Sequence, residues 1–181
     1  MGKRPFDIDA RLAALVAGEL APQFTMSIDL HGTWFYQGSK IARPALVELF
    51  ATALQRAADG SYWLVTPVEA GRVTVEDVPF TIVELAEQGA GPLRTIRLRT
   101  NLDAWIDLDA DHPLVMRSLA DGGPPAPYVT VRPAHGSRLA IEARLLRPVF
   151  YHLVELAEAS GDALSVRSAG AVFNLGRLDV S

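Results

Sequence analysis

Trp34-Phe35-Tyr36 places three large rings in consecutive positions, directly after His31-Gly32-Thr33 and just before Gly38. A strand alternates its side chains between two faces, so three adjacent rings cannot all enter one core. Any fold of this chain must therefore give that strand something to meet on each side.

A hairpin is the simplest frame for the rings. Ser27-Ile28-Asp29-Leu30 and Thr33–Tyr36 flank His31-Gly32 as the two turn residues. That register pairs Leu30 with Thr33, Asp29 with Trp34, Ile28 with Phe35 and Ser27 with Tyr36. Directly opposed residues share a face. Ile28, Leu30, Thr33 and Phe35 then form a core face. Ser27, Asp29, Trp34 and Tyr36 form an aromatic face with a hydroxyl and a carboxylate, suited to a ligand that stacks and hydrogen-bonds. Packing of a second half of the protein on that face is the alternative. Both hold if a ligand lies between two halves, where pockets often form.

The remaining pattern mixes short strands with a few helices. Asp9–Leu20 carries Leu12, Leu15, Val16 and Leu20 at helical spacing, with Asp7 or Asp9 as N-cap. Arg43-Pro44 opens a helix with Leu46, Val47, Phe50 and Leu54 inward, ending at Asp59-Gly60. Strands follow at 62–67, 73–75 and 81–85, and Glu87–Pro92 reads as a linker. Thr95–Arg99 and Trp105–Asp109 form a hairpin with Leu102–Ala104 as its loop, setting Arg99 opposite Asp107 and Arg97 opposite Asp109. After a glycine- and proline-rich loop at 120–127 come strands at 128–132 and 139–143. Arg147-Pro148 opens another helix, with Phe150, Leu153, Val154 and Ala157 inward and a stop at Gly161-Asp162. Strands at 164–167 and 172–175 close the chain. The two Arg-Pro helices suggest an internal duplication, with halves at 1–89 and 92–181. The expected fold class is α+β, each half a small antiparallel sheet with a helix.

Composition narrows the function. The 181 residues are 49% hydrophobic and 21% charged, the balance of a globular chain. No cysteine occurs, which excludes disulfides, thiolate metal sites and cysteine nucleophiles and suits a reducing cytoplasm. The N-terminus is basic but leads into Asp7 and Asp9 rather than a signal core, and no apolar run is long enough to span a bilayer. A cytoplasmic location is expected, with no membrane partner. Residues 1–89 hold 7 basic and 11 acidic side chains, and residues 90–181 hold 10 of each. Neither half has the positive excess that non-specific DNA binding needs. Yet 15 of the 17 basic residues are arginine, which grips phosphates and carboxylates bidentately, so a small anionic ligand fits.

Signatures of catalysis and cofactor binding are weak. No G-x-S-x-G occurs, and Gly89-Ala90-Gly91-Pro92 is neither a Walker loop nor a dinucleotide fingerprint. Asp107-Leu108-Asp109-Ala110-Asp111 fails as a calcium loop, because His112 and Ser118 stand where glycine and glutamate are needed. His31, His112, His135 and His152 are isolated, without metal-ligand spacing. No metal, cofactor or enzymatic activity is expected. The rival reading is a hydrolase with a remote pair such as His31 and Glu69.

Read together, His31–Ser39, Ile41, Arg43, the 46–50 helix, and Tyr62 with Leu64–Glu69 resemble the bacterial domain-of-unknown-function family 1285. The likeness continues through Thr100-Asn101-Leu102, Asp111–Leu114, Tyr128–Arg132, Glu142-Ala143-Arg144 with Arg147, and Ser168-Ala169-Gly170 with Phe173 and Leu175-Gly176. The resemblance implies two related α+β halves, the second loosely similar to a pleckstrin-homology-like fold, with a nucleotide-like ligand between them and a role in bacterial signal transduction. On that frame Trp34 and Tyr36 stack on a base. Arg43, Arg132 or Arg144 hold phosphate, while Ser39, Thr66 and Glu69 offer hydrogen bonds. A third reading has the Trp34/Tyr36 face docking a protein partner.

Overall fold

The structure, a computed structural model, describes residues 5–119 and 121–177. The basic Met1–Arg4 start and Ala120 of the expected loop lie outside the described residues. The chain divides into two compact units. One holds the residues up to Pro79 together with Ala134–Ile141, and the other holds Phe80–Pro133 and the residues from Glu142 onward.

The first unit runs α1 (Ile8–Val16), β1 (Phe24–Ile28), β2 (Trp34–Tyr36), β3 (Ser39–Lys40), α2 (Pro44–Ala53), β4 (Leu54–Arg56), β5 (Tyr62–Val65) and β6 (Ala70–Val75). Asp7 caps α1 by accepting the Ala10 amide, as its position before an apolar stripe predicts. The six strands form one sheet in the order β3-β2-β1-β6-β5-β4, with β1 and β6 parallel at its centre. All four residues of β5 are buried, so this strand is covered on both faces. On one face Trp63 and Val65 pack with Leu12 and Leu15 of α1. The other face carries Ile28, Trp34, Leu54 and Leu64 beneath α2, whose Phe50 ring stacks on Trp34.

That arrangement answers where the three rings go, and it corrects the expected hairpin. The β1–β2 pairs are Ile28 with Trp34, Ser27 with Phe35 and Met26 with Tyr36, one residue out of the expected register. The turn is not His31-Gly32 alone. Asp29 Oδ1 accepts the amides of His31 and Thr33, each at 2.9 Å, and the Asp29 amide donates to the Thr33 carbonyl. These bonds take Asp29–Thr33 out of the ladder. A slip of one residue reverses every side chain. Trp34 and Tyr36 thus share the α2 face with Ile28, and Phe35 turns to the other side.

The helix expected to reach Asp59 stops at Ala53. Leu54–Arg56 then continues as the edge strand β4, with Leu54 inward and opposite Leu64. The segment 134–141 lies along this edge: the Leu139 amide donates to the Arg56 carbonyl and the Arg56 guanidinium to the Ala140 carbonyl. Covering an edge in this way leaves fewer unpaired backbone groups for another chain.

The second unit holds β7 (Phe80–Gln88), β8 (Thr95–Thr100), β9 (Trp105–Asp107), β10 (Leu114–Arg117), β11 (Ala126–Arg132), most of β12 (Ile141–Leu145), α3 (Arg147–Glu155), β13 (Glu158–Ser160), β14 (Ala163–Ser168) and β15 (Ala171–Arg177). The segment expected as a linker, 87–92, instead ends β7 and turns into β8, with Glu87 opposite Ile96 and Gln88 opposite Thr95. The boundary between units falls after Pro79 rather than at 89–92. The β8–β9 hairpin pairs Arg97 with Asp107 and Arg99 with Trp105, two residues from the expected register. A slip of two preserves the faces, so Ile96, Leu98 and Leu108 remain fully buried.

The main sheet of this unit has the order β10-β11-β12-β7-β8-β9, with β7 and β12 parallel. Read from its other edge, it repeats the strand order of the first unit, parallel central pair included. The Arg-Pro helices do not match in the same way. In the first unit α2 follows the third strand, whereas α3 follows the sixth. Strands β13, β14 and β15 form a separate antiparallel sheet. The fully buried Ser168 hydroxyl accepts the Ile96 amide at 2.8 Å and so ties β14 to β8.

Candidate functional site

The site residues expected from sequence fall in both units. Trp34, Tyr36, Ser39, Arg43, Thr66 and Glu69 belong to the first, Arg132 and Arg144 to the second. Trp34 is a core residue and is withdrawn as a stacking platform. Its indole is 1% exposed beside Phe50, with ring centroids 6.3 Å apart, and its Nε1–H has no acceptor among the described residues. Tyr36 is 40% exposed and keeps an open ring. Arg132 and Arg144 are half-buried and each is already engaged by another residue.

Tyr36 and Ser39 are brought together as a directly opposed pair across the β2–β3 turn. That turn is tight because Gln37 and Gly38 both adopt positive φ, 49° and 78°. Such a pair of residues is the requirement of a two-residue hairpin with the favoured twist. The Tyr36 hydroxyl accepts from the Gln37 amide group at 3.3 Å. From Ser39 the chain runs antiparallel to β2, the Ile41 amide donates to the Trp34 carbonyl, and α2 starts at Pro44 with Arg43 as N-cap. Four residues of extended chain place the Arg43 Cα at most about 14 Å from that of Ser39.

The start of α2 differs from that of α1. It has no side-chain cap and no acidic residue in its first turn, while α1 has Asp7 as cap and Asp9 in its first turn. The Leu46 and Val47 amides fold back onto the Arg43 carbonyl. Pro44 has no N–H, so Ala45 carries the first uncapped amide. A helix N-terminus concentrates partial positive charge and favours anions. Lys40 and Arg43 add exposed cations nearby in the chain, and neither has an ion pair among the described residues. Sequence reasoning reached Arg43 but not the Ala45 amide. Its signal was the absence of Ser, Thr, Asp or Asn at the position before Pro44.

Thr66 and Glu69 have another occupation. Thr66 Oγ1 accepts the Glu69 amide at 2.9 Å and donates to the Glu69 carbonyl at 3.0 Å, closing the β5–β6 turn. This turn lies at the same end of the sheet as the Tyr36–Ser39 turn, about three strand spacings or 14 Å away. The pair His31 and Glu69 does not converge. His31 follows the end of β1 and Glu69 precedes the start of its parallel neighbour β6, so they stand at opposite ends, roughly 20 Å apart. The hydrolase built on that pair is therefore set aside.

A histidine–carboxylate contact does occur in the second unit, at His112 Nδ1 and Asp109 Oδ1, 3.0 Å apart. Burial pushes the Asp109 carboxyl up, but hydrogen bonds from the His112 amide and ring, the His112 charge and the Asp111 amide outweigh it and hold the group below its usual value. One carboxylate oxygen thus gathers two backbone amides and the ring, which is the geometry of a loop fastening. A concave site of about 470 Å³ beside α1 is bounded by Phe6, Asp7, Asp9 and Arg138 among others. There Asp9 is occupied by the Ser137 hydroxyl at 2.9 Å and Arg138 Nε at 3.2 Å. Two carboxylates on its rim disfavour an anion.

The profile of the N-terminal domain of DUF1285, a domain of unknown function, matches residues 18–78, and that of the C-terminal domain matches residues 79–175. The chain belongs to the DUF1285 family. The boundary between its two DUF1285 domains, after residue 78, coincides within one residue with the division between the structural units. A DUF1285 family protein from Silicibacter pomeroyi DSS-3, known from a crystal structure, is similar at 34% identity with a TM-score of 0.75, over 90% of this chain and 87% of that one. A second DUF1285 crystal structure, from Shewanella baltica OS155, is similar at 27% identity with a TM-score of 0.53, over 72% of this chain and 90% of that one. No curated protein matches. No helix among the described residues is long and apolar enough to cross a membrane.

Proposed function

We propose that this DUF1285 protein is a non-enzymatic binding protein for a small anionic, nucleotide-like ligand, acting in bacterial signal transduction. The observation that carries the reading is the start of α2: an uncapped helix N-terminus without acidic residues, with Arg43 at its cap position. Ser39, opposite Tyr36, lies at most about 14 Å along the chain from Arg43. In this reading the phosphate meets the Ala45 amide and Arg43. The base rests on the Tyr36 ring, and Ser39 offers its hydroxyl. Stacking of a base on an aromatic ring is worth about 1–3 kcal/mol. The shared strand order of the two main sheets supports the accompanying view that the halves are related by duplication.

Thermal unfolding against nucleotides, dinucleotides and inorganic phosphate tests the proposal. A ligand at about a hundred times its Kd adds roughly 2.7 kcal/mol, a shift of about 5–10 °C in a chain of this size. The expected result is a shift with one nucleotide class that Arg43→Ala and Tyr36→Ala each remove. No shift across the panel, with the protein folded, overturns the reading and favours a protein partner on the Tyr36 surface.

A further inference from the structure

A second candidate site lies wholly within the second unit, at the end of the β13–β14 ladder. It is a concavity of about 340 Å³ lined by Gly91, Pro92, Arg94, Glu158 and Arg167. Its size is within the range of small-molecule sites. Its floor is built by one side chain. The Arg94 guanidinium donates to the Arg167 carbonyl from Nε at 3.2 Å and from Nη2 at 3.0 Å, and to the Leu156 carbonyl at 3.4 Å. It therefore bridges β14 and the segment that leads into β13, just beyond the end of their ladder. The Ala169 amide donates back to the Arg94 carbonyl at 2.9 Å, which fixes the backbone beneath it. Three hydrogen bonds hold this guanidinium in place. Its remaining Nη1 nitrogen forms an ion pair with Glu87 at 3.6 Å.

Two opposite charges flank this floor without joining. Glu158 stands opposite Ser165, and Arg167 is two residues along the same strand, so both side chains leave one face as diagonal neighbours. Such neighbours are about 7–8 Å apart, a distance that long side chains can close. Among the described residues, neither Glu158 nor Arg167 takes an ion-pair partner. Both line the concavity between them. The site thus offers the planar Arg167 guanidinium fork and, across the gap, the Glu158 carboxylate, over a floor in which Arg94 is paired with Glu87.

We infer that this concavity binds a small zwitterion of the α-amino acid class. The ligand's carboxylate takes the Arg167 fork, and its ammonium group takes Glu158. An unpaired guanidinium suits a ligand carboxylate, and bidentate geometry is what arginine supplies. The unpaired Glu158 carboxylate opposite selects for an amine. A phosphate would meet Glu158 as a like charge.

Amide chemical shifts of the full chain, followed on titration with glycine, L-alanine, acetate and methylammonium, test the inference. The two amino acids are expected to move the Gly91, Arg94, Glu158 and Arg167 resonances saturably, and to bind more tightly than acetate or methylammonium. Arg167→Ala is expected to abolish the response. Glu158→Gln should weaken glycine binding about two- to fivefold, as expected for losing one exposed charge pair, without weakening acetate. Both positions are exposed, so an unchanged spectrum elsewhere confirms that the variants fold. Failure of either amino acid to move these resonances overturns the inference. So does acetate binding as tightly as glycine, or an Arg167→Ala protein that still responds. None of these readings depends on Arg43 or Tyr36, so the nucleotide proposal stands or falls separately.

Discussion

Trp34 stacks on Phe50 with ring planes 30° apart, and through this contact α2 is fastened to the second strand of its sheet. The ring is almost wholly buried, and its Nε1–H has no acceptor among the described residues. Trp34→Ala should cost about 3–5 kcal/mol through the cavity it leaves. Trp34→Phe should cost much less, because it keeps the stack and removes a buried donor whose isolation itself costs about 1–3 kcal/mol. Tyr36→Ala, at the exposed end of the same face, should change stability by under about 1 kcal/mol. Urea unfolding of the three variants measures the ranking. A Trp34→Ala protein as stable as Tyr36→Ala contradicts the core assignment.

Asp29 sets which rings face α2. By accepting the His31 and Thr33 amides it gives the β1–β2 turn its length, and hence its register. Asp29→Ala should destabilise by about 1–2 kcal/mol, and Asp29→Asn should recover most of that because its side-chain oxygen still accepts. Denaturant midpoints give the energies. Contacts between Ile28 and Trp34 in an NMR spectrum report whether the register survives.

The two hairpins show what the sequence made legible and what it did not. In the β8–β9 hairpin the misjudged register was off by two residues, an even step, so the inward set Ile96 and Leu98 and the charged set Arg97 and Asp107 kept their faces. The charge pairing was also recovered in altered form: Arg97 meets Asp107 at 2.9 Å, and Arg99 pairs with Glu84 and Asp103 instead. In the β1–β2 hairpin the error was one residue, an odd step, and it exchanged the faces of Trp34 and Phe35. His31-Gly32 looked sufficient for a turn because glycine is the strongest local signal, but the geometry is set by an aspartate side chain acting on amides two and four residues away. Helix ends were misjudged for a related reason. Leu54 continues the apolar spacing of α2 equally well as the first residue of β4, so periodicity could not mark the change. The Arg-Pro helix starts were correctly placed, yet the likeness between the units resides in strand order, which no short motif carries.

Asp59 makes the acid limb of stability testable. A hydrogen bond from the Ser61 hydroxyl, then one from the Ser61 amide, hold its carboxyl below the ordinary 3.8. A carboxylate that is more acidic in the folded chain stabilises the fold above its unfolded pKa and loses that contribution as pH falls through the folded pKa. Asp59→Asn should therefore be less stable than wild type at pH 6, and the difference should shrink below about pH 3.8. Ser61 also accepts the buried Trp63 indole N–H at 2.8 Å. Ser61→Ala should consequently retain a deficit at acid pH that Asp59→Asn does not. Tryptophan fluorescence on urea titration at several pH values separates the two. A constant gap between Asp59→Asn and wild type removes the ionised carboxylate from the account.

Gly71 is needed for space rather than for backbone freedom. It stands opposite Phe24 in the parallel β1–β6 pair, and a Cβ added there would overlap the Phe24 ring. Gly71→Ala should then cost about 1–3 kcal/mol, the scale of overpacking. The same change should have the opposite sign once the ring is gone. In a Phe24→Ala background, Gly71→Ala should be neutral or stabilising by up to about 1 kcal/mol, because it lowers the entropy of the unfolded chain. The coupling from a double-mutant cycle is thus expected to exceed 1 kcal/mol in favour of the paired change, as for side chains in direct contact. Additive costs would mean that the two residues do not meet, and with that the parallel register of the sheet's central strands would be wrong.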